Sequence, residues 1–414
     1  MKVVILGAGI VGTAAAWYLA DAGHEVEVID REPGAALGTS WANAGQMPGA
    51  GVLPWVSPTV PATILRHFGK VDAPYLIHLK ADPAIWLWAI GFLRNCTRAR
   101  VTEITANLRR LAEFSLAETQ VLRAAENITY DLSTRGILHT FAKAESFDKA
   151  ARAAAQEADA ARPRVLDRQA ALALEPALAA RPDMIAGALH YDRDESGDCN
   201  KFATGLAAAA TRRGVRFNWG ETVTDIIVEN GRATGARTNA GEHRADAVVM
   251  CLGPGSARIS RRAGLRVPVY PVKGYAVTMP AGPGAPDIAI MDRDIKAGIL
   301  RIGDRLRIAG TAELAGYNTH LDIRRARALL AAMMKRFPEG GDASRAELWT
   351  GLRPMTPNCL PLLGETPLPG LVLNTGHGSL GWTLACGSGR VIAEIVSGRP
   401  APVDMRGLQL RRGL

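Results

Sequence analysis

The chain opens on an apolar run, Val3-Val4-Ile5-Leu6, passes at once into Gly7-Ala8-Gly9-Ile10-Val11-Gly12, and continues as Ala14-Ala15-Ala16-Trp17-Tyr18-Leu19. Four apolar residues set against a glycine cluster predict a buried strand, and the longer run behind it, closed by Gly23, predicts a helix. Glu25-Val26-Glu27-Val28-Ile29 alternates as a second strand with Asp30 at its end. Apolar positions then recur at helical spacing through Leu108, Leu111, Phe114 and Leu122, which predicts one long helix over about 101–125. Strands are expected at 136–141 and 185–191, separated by an Ala-rich helix over 144–161. Asp198-Cys199-Asn200 predicts a helix cap. Three strands follow at 215–219, 222–228 and 232–238, the last two joined by the hairpin turn Asn230-Gly231, and a buried strand at 246–253 ends in Gly-Pro-Gly-Ser. Beyond it the pattern predicts strands around 269–277, 298–302 and 306–309, and a helix over 321–335.

Strand, glycine turn, helix, strand, acid is the order of a dinucleotide-binding unit. Gly7 permits the tight turn, Gly9 lets backbone approach a pyrophosphate, Gly12 lets the helix pack on the strand, and Ile10 and Val11 open the helix whose N–H groups face the phosphates. Asp30 stands where a carboxylate accepts from ribose hydroxyls. It also repels a 2′-phosphate even with Arg31 beside it, so NAD and FAD both remain open at this point. The following loop, Gly34 to Gln46, is built of small residues, and within it Ser40, Asn43, Ala44, Gly45 and Gln46 suit the edge of a cofactor, although Ser40 could equally cap a helix. The expected fold is α/β: a Rossmann-like, doubly wound domain from 1–57, 195–258 and 346–414, with a discontinuous α+β substrate domain from 58–194 and 259–345. The Pro/Gly-rich residues 47–65 mark the first departure from the nucleotide domain.

Composition narrows the classes. With 414 residues, 48% of them hydrophobic and 21% charged, the chain can build two sizeable cores. A net charge of +9 suits anionic partners, but the Arg and Lys residues are dispersed and no nucleic-acid-binding motif accompanies them, so no nucleic acid is expected. Cys96, Cys199, Cys251, Cys359 and Cys386 lack metal-ligand spacing, and their odd number fits reduced thiols in a cytoplasmic protein; no metal is expected. Met1-Lys2 leads directly into the first strand, so no signal peptide is expected. The ten apolar residues 84–93, among them Trp86 and Trp88, end at Arg94, with Arg98 and Arg100 close by. Ten is too few to span a bilayer, which leaves a buried helix or a segment lying on a membrane surface.

The C-terminal region carries the most specific pattern: Trp349-Thr350-Gly351-Leu352-Arg353-Pro354-Met355-Thr356-Pro357, then Asn374-Thr375-Gly376-His377-Gly378-Ser379-Leu380-Gly381-Trp382-Thr383. Gly376, Gly378 and Gly381 let backbone crowd a planar ring, and a helix beginning near Leu380 would aim its positive end at that ring. Together with V-V-I-L-G-A-G-I-V-G, T-S-W-A-N-A-G-Q and V-Y-P-V-K-G-Y, these motifs resemble the FAD-dependent D-amino-acid oxidase superfamily, most closely its bacterial D-amino-acid dehydrogenases. The resemblance implies non-covalent FAD. It places His377, Ser379, Leu380, Trp382 and Thr383 at the flavin, and Val223 and Gly253 on the cofactor side. It implies oxidative deamination of a D-amino acid, or of a cyclic D-imino acid such as D-proline, by hydride transfer to flavin N5. Electrons would pass to a quinone at the inner face of the cell membrane, to which the protein would bind peripherally. An oxygen-using oxidase and a flavin-bearing subunit without activity are the rival readings. Arg353 matches the family's substrate-carboxylate clamp. Tyr275 and Lys273 fall on the expected pocket wall, and Lys296 occupies a stretch in which relatives often have a tyrosine.

Overall fold

The computed structural model describes residues 1–67, 75–78, 82–157 and 162–410. The opening strand Lys2–Leu6 lies at the centre of a six-stranded sheet, parallel to Glu25–Asp30 on one side and to Ala247–Met250 on the other. Arg216–Trp219 extends the first side, Leu371–Thr375 extends the second in parallel, and Leu362–Glu365 closes that edge antiparallel. Every residue from Val3 to Leu6 is buried because both faces are covered. Val3 and Ile5 pack with the helices Ile10–Asp21, Cys199–Arg212, Ala385–Val396 and Arg98–Glu126. Val4 and Leu6 pack with a small three-stranded sheet formed by Val223–Glu229, Arg232–Thr238 and Glu242–Arg244. The hairpin expected at Asn230-Gly231 forms there, with both residues at positive φ.

The long helix runs from Arg98 to Glu126, capped by Thr97, whose side chain accepts from Arg100 N, and ended by Asn127 at φ 52°. It packs against the last helix at a point where Gly387 N donates to Ser115 Oγ at 2.9 Å and a Cβ on Gly387 would collide with Ser115. Asp198 caps the Cys199–Arg212 helix as expected, accepting from Asn200 N and Lys201 N. The Ala-rich helix covers Ala144–Ala154, and residues 158–161 of the expected span lie outside the described residues.

A second, nine-stranded sheet faces the first domain. Its main path runs Glu347–Met355, Tyr270–Pro280, Arg305–Leu314, Ala297–Ile302, Ala289–Asp292, Ile137–Phe141, Gly187–Tyr191, Arg164–Asp167, with Tyr75–Ile77 alongside Arg305–Leu314. The helix Ile323–Arg336 covers its outer face. Strand Glu347–Met355 follows the boundary expected at 345, yet pairs along its whole length with Tyr270–Pro280, so hydrogen bonding assigns it to the second sheet. The register defines one row across the inner face: Leu189, His139, Met291, Gly298, Ala309, Ala276, Trp349.

Candidate active site: a cavity between the two sheets

A cavity of about 1070 Å³ runs from the ends of the first sheet's strands to the inner face of the second. At one end, Gly7 has φ 101°, and a Cβ there would lie 2.6 Å from Cys251 O. A Cβ on Gly12 would strike Gly7 O, so Gly12 serves helix–strand packing and lies behind the cavity wall. Gly9 differs, since its would-be Cβ meets only Ser40 Oγ at 3.6 Å. It lines the cavity with Ile10 and Val11, and is the point where backbone lies open to a diphosphate. Ser40 Oγ accepts from Ile10 N at 3.2 Å, so this hydroxyl caps the first helix across the chain. Asp30 Oδ2 accepts from Ala8 N at 2.6 Å and Oδ1 from Glu32 N at 2.9 Å, which fixes the carboxylate on the cavity wall beside Arg31. Burial raises its pKa above the usual aspartate value, and these N–H donors oppose the shift. Val223 and Gly253 line the same end, together with Glu221 and Thr222.

The loop 42–46 crosses the second sheet. Asn43 Oδ1 accepts from Gly45 N at 2.9 Å, and Gln46 Nε2 donates to Ile290 O at 2.9 Å. Asn43, Ala44 and Gln46 line the cavity, whereas Gly45 faces away: its φ is 65° and a Cβ would sit 2.7 Å from Gly197 O. Opposite, His377, Gly378, Ser379, Leu380, Gly381 and Trp382 line the wall, while Gly376, packed on Thr356, and the buried Thr383 stand behind it. The helix expected near Leu380 starts at Ala385. Residues 378–380 form a single 3₁₀ turn, so exposed backbone of that turn borders the cavity in place of a helix end. His377 turns its ring away, to Ser388 Oγ at 3.1 Å, and burial pushes its pKa down to about 3, so it reaches the cavity through backbone and stays neutral.

At the far end Arg353 lies flat across Gly274. A Cβ on Gly274 would collide with the guanidinium. Nη1 donates to Thr311 O at 2.9 Å, Nη2 to Gly310 O at 3.4 Å, and the Trp55 ring stands 5.3 Å away. No carboxylate among the described residues pairs with Arg353, and desolvation lowers its pKa to about 10. Lys296 lies on the rim of the same cavity end, at φ 56°. Arg301 is tied to Asp287 at 3.3 Å and is not on the wall.

Two expected pocket residues are displaced. Tyr275 touches the cavity, but its side chain belongs to the core under the outer helix and its hydroxyl donates to Glu313 Oε2 at 2.6 Å. Lys273 is not on the wall at all, its Nζ lying 3.7 Å from Glu313 Oε1. The buried Arg325 Nε, at 3.5 Å, and the exposed His78 Nε2, at 2.9 Å, also reach Glu313 behind the sheet. The reason is alternation: Lys273 and Tyr275 stand two residues apart on one strand and take the face opposite to Gly274 and Ala276, under the outer helix. Trp55, Trp349 and His139 line the cavity and were not expected there. Trp55 sits in the Pro/Gly-rich stretch, where no periodicity marks a face, and His139 stands beside Thr140 in an otherwise apolar strand, Ile137–Phe141.

The wall thus offers an open glycine at a helix N-terminus, a fixed carboxylate at the end of the adjacent strand, a backbone-lined slot and an arginine at the far end, which together fit an extended dinucleotide bearing a ring. Comparisons with known proteins agree. D-amino acid dehydrogenases from Paramagnetospirillum magneticum and Rhizobium rhizogenes are 46% and 43% identical, each match spanning 100% of this chain and 99% and 100% of the relative. Among solved structures, glycine oxidase from Geobacillus kaustophilus superimposes with a TM-score of 0.73 at 24% identity, over 100% of this chain and 99% of that one. L-proline dehydrogenase from P. horikoshii does so with a TM-score of 0.74 at 17% identity, over 99% and 96%. These two establish the shared fold. A family model described as DAO, FAD dependent oxidoreductase, matches residues 2–395, and the chain belongs to that family of FAD-binding enzymes.

Proposed function

We propose that this enzyme is a D-amino-acid dehydrogenase that oxidatively deaminates its substrate to a 2-oxo acid and ammonia and delivers the electrons to a membrane quinone. The carrying observation is Arg353, a desolvated guanidinium without an acidic partner among the described residues, held by two carbonyls beside the cavity. A guanidinium so placed binds a carboxylate through two parallel hydrogen bonds and fixes the orientation of the α-carbon. Gly274 gives it room and Trp55 limits water on its open side. Bound FAD supplies the acceptor for the hydride of the α-carbon. The resulting imine hydrolyses in water.

No described side chain at the site is placed as a base. His377 is neutral and held by Ser388, and the Tyr275 hydroxyl is committed to Glu313. The amine therefore reacts in its neutral form, and positioning carries the catalysis. The membrane part of the reading rests on the helix Pro83–Arg94. Ile85, Trp88 and Phe92 face the core, whereas Trp86, Leu87, Ile90 and Leu93 are 47%, 66%, 48% and 45% exposed, beside the exposed Arg94 and Arg98. An apolar stripe with a basic border suits an anionic bilayer surface. No helix among the described residues is long and apolar enough to cross a membrane.

Arg353→Ala should lower kcat/KM for D-amino acids by about 2–5 kcal/mol in transition-state binding, the range for breaking a desolvated charge pair, with flavin content unchanged. Arg353→Lys should fall between, because it keeps charge and loses the planar fork. Steady-state kinetics with a soluble quinone analogue, and separately with oxygen alone, measure both parts of the proposal. A fall of less than about tenfold, or about 1.4 kcal/mol, would move the carboxylate to Lys296. Fast turnover on oxygen alone would make the enzyme an oxidase.

A further inference from the structure

The strand that holds Arg353 is irregular at the point of contact. Strand Arg305–Leu314 pairs Gly310 with Tyr275 and Glu313 with Lys273, so two of its residues, Thr311 and Ala312, stand opposite the single residue Gly274. This is a one-residue β-bulge, and Gly310, Thr311 and Ala312 all line the cavity. Thr311 has φ 61°, in the left-handed region that a β-branched side chain rarely enters. Bulges whose first residue takes a positive φ ordinarily have glycine there, and here the glycine comes one position early, at Gly310. The threonine side chain does not compensate, since its Oγ1 is buried without a hydrogen-bond partner among the described residues.

The bulge accounts for the way one guanidinium reaches two consecutive carbonyls. In a regular strand, successive C=O groups point to opposite neighbours. Arg353 Nη1 donates to Thr311 O at 2.9 Å and Nη2 to Gly310 O at 3.4 Å, so here both carbonyls serve one side chain. Arg353 stands two strands away, on Glu347–Met355, and its guanidinium crosses Tyr270–Pro280 where Gly274 has no side chain. Gly274 thus opens the passage, and the bulge opposite it supplies the acceptors.

We propose that Thr311 is a positioning residue, and that the bulge it makes, at a backbone conformation unfavourable to its own side chain, aims Arg353 at the substrate. This rests on Arg353 binding the substrate carboxylate, as proposed above. Without the extra residue, Gly274 would pair one to one with Ala312, while the pairs Tyr275–Gly310 and Lys273–Glu313 would keep their register. Successive carbonyls would then alternate, and the guanidinium would keep at most one of its two acceptors.

The test deletes Thr311 in the holoenzyme, alone and combined with Arg353→Ala, and measures kcat and KM for D-alanine. The deletion alone should retain bound-flavin absorbance and lower kcat/KM at least about tenfold, mainly through KM. In the Arg353→Ala background it should change kcat/KM less than about twofold, because the bulge acts through the arginine. No loss from the deletion alone, or an equal loss in both backgrounds, overturns the positioning role. A pair of substitutions keeps the proposal open to refutation if the shortened strand does not fold. Glycine inside a regular strand is less stable than alanine, and at a positive φ the order reverses. Thr311→Gly should therefore melt above Thr311→Ala and retain more of the wild-type kcat/KM. The ordinary order of melting would show that position 311 is not held in the left-handed region, and so overturn the proposal. An Arg353→Ala enzyme that keeps kcat/KM within about tenfold of wild type overturns the anchor itself, whatever the variants at position 311 do.

Discussion

Gly274 tolerates no side chain, because the guanidinium of Arg353 lies where its Cβ would be. Gly274→Ala should therefore displace the anchor without touching the nucleotide end: KM for a D-amino acid should rise at least about tenfold, equivalent to about 1.4 kcal/mol, while bound-flavin absorbance is retained. Unchanged kinetics would show that Arg353 does not hold the substrate. Asp194 makes a second residue-scale case. It is buried, Oδ1 accepts from Gly49 N at 2.8 Å and Ala50 N at 3.2 Å, and burial pushes its pKa up to about 7. The unfolded chain releases that proton near pH 4. A folded pKa above the unfolded one means that its contribution to stability is fully present below about pH 4 and is lost as pH rises through about 7. Asp194→Asn cannot ionise, so its Tm relative to wild type should climb between pH 5 and pH 8, and parallel Tm curves would contradict the assignment. Individual residues differ in how much the chain announces them. Arg353 is legible because glycine and proline frame it in a motif, whereas Tyr275 and Lys273 share a motif with Gly274 and still face the other way, since successive side chains of a strand point to opposite faces.

At the scale of elements, hydrophobic periodicity finds existence better than orientation. The long helix, the Asn230-Gly231 hairpin and the central strands are all written in local sequence. The sheet to which Glu347–Met355 belongs is not, because pairing depends on residues some 75 positions earlier in the chain, as in Trp349 with Ala276. The last helix starts only at Ala385, after the 3₁₀ turn at 378–380 and a further turn over 381–384. Helix Pro83–Arg94 shows the same division. Ten apolar residues predict a buried helix or a membrane-facing one, and folding buries one face, Ile85, Trp88 and Phe92, and leaves the other exposed. Transferring a large apolar side chain from water contributes about 1.5–3 kcal/mol when complete, so burying the four exposed residues would favour the reversible attachment proposed above. Vesicles containing phosphatidylglycerol should carry the protein upward in a flotation gradient at low salt, and the Leu87→Glu, Ile90→Glu double variant should stay behind with its activity on a soluble acceptor intact. Wild-type protein that remains in the aqueous fraction with such vesicles would remove the membrane from the proposal.

For the molecule as a whole, the cofactor cavity is walled by both sheets, so ligand binding draws on contacts from each. FAD that binds only the native state stabilises it by about 2.7 kcal/mol at a free concentration one hundred times Kd. Scanning calorimetry of apoprotein and holoprotein should show one transition that moves upward on reconstitution; coincident melts would mean that the cavity does not hold the cofactor tightly. The central sheet also sets a timetable. Its first strand pairs Val3 with Ala247, and the neighbour of that partner, Val248, pairs with Leu371. A ribosome adding about 5–20 residues per second needs on the order of 20–70 s to make the intervening chain. Until Ala247–Met250 is made, the opening strand, apolar on both faces, has only Glu25–Asp30 beside it, and from then until Leu371–Thr375 follows the unpaired edge is that of Ala247–Met250. Newly made protein is thus exposed to strand-mediated aggregation until Leu371–Thr375, near the end of the chain, emerges, and its yield in cells should depend on chaperone supply and synthesis rate more steeply than the stability of the finished enzyme would suggest.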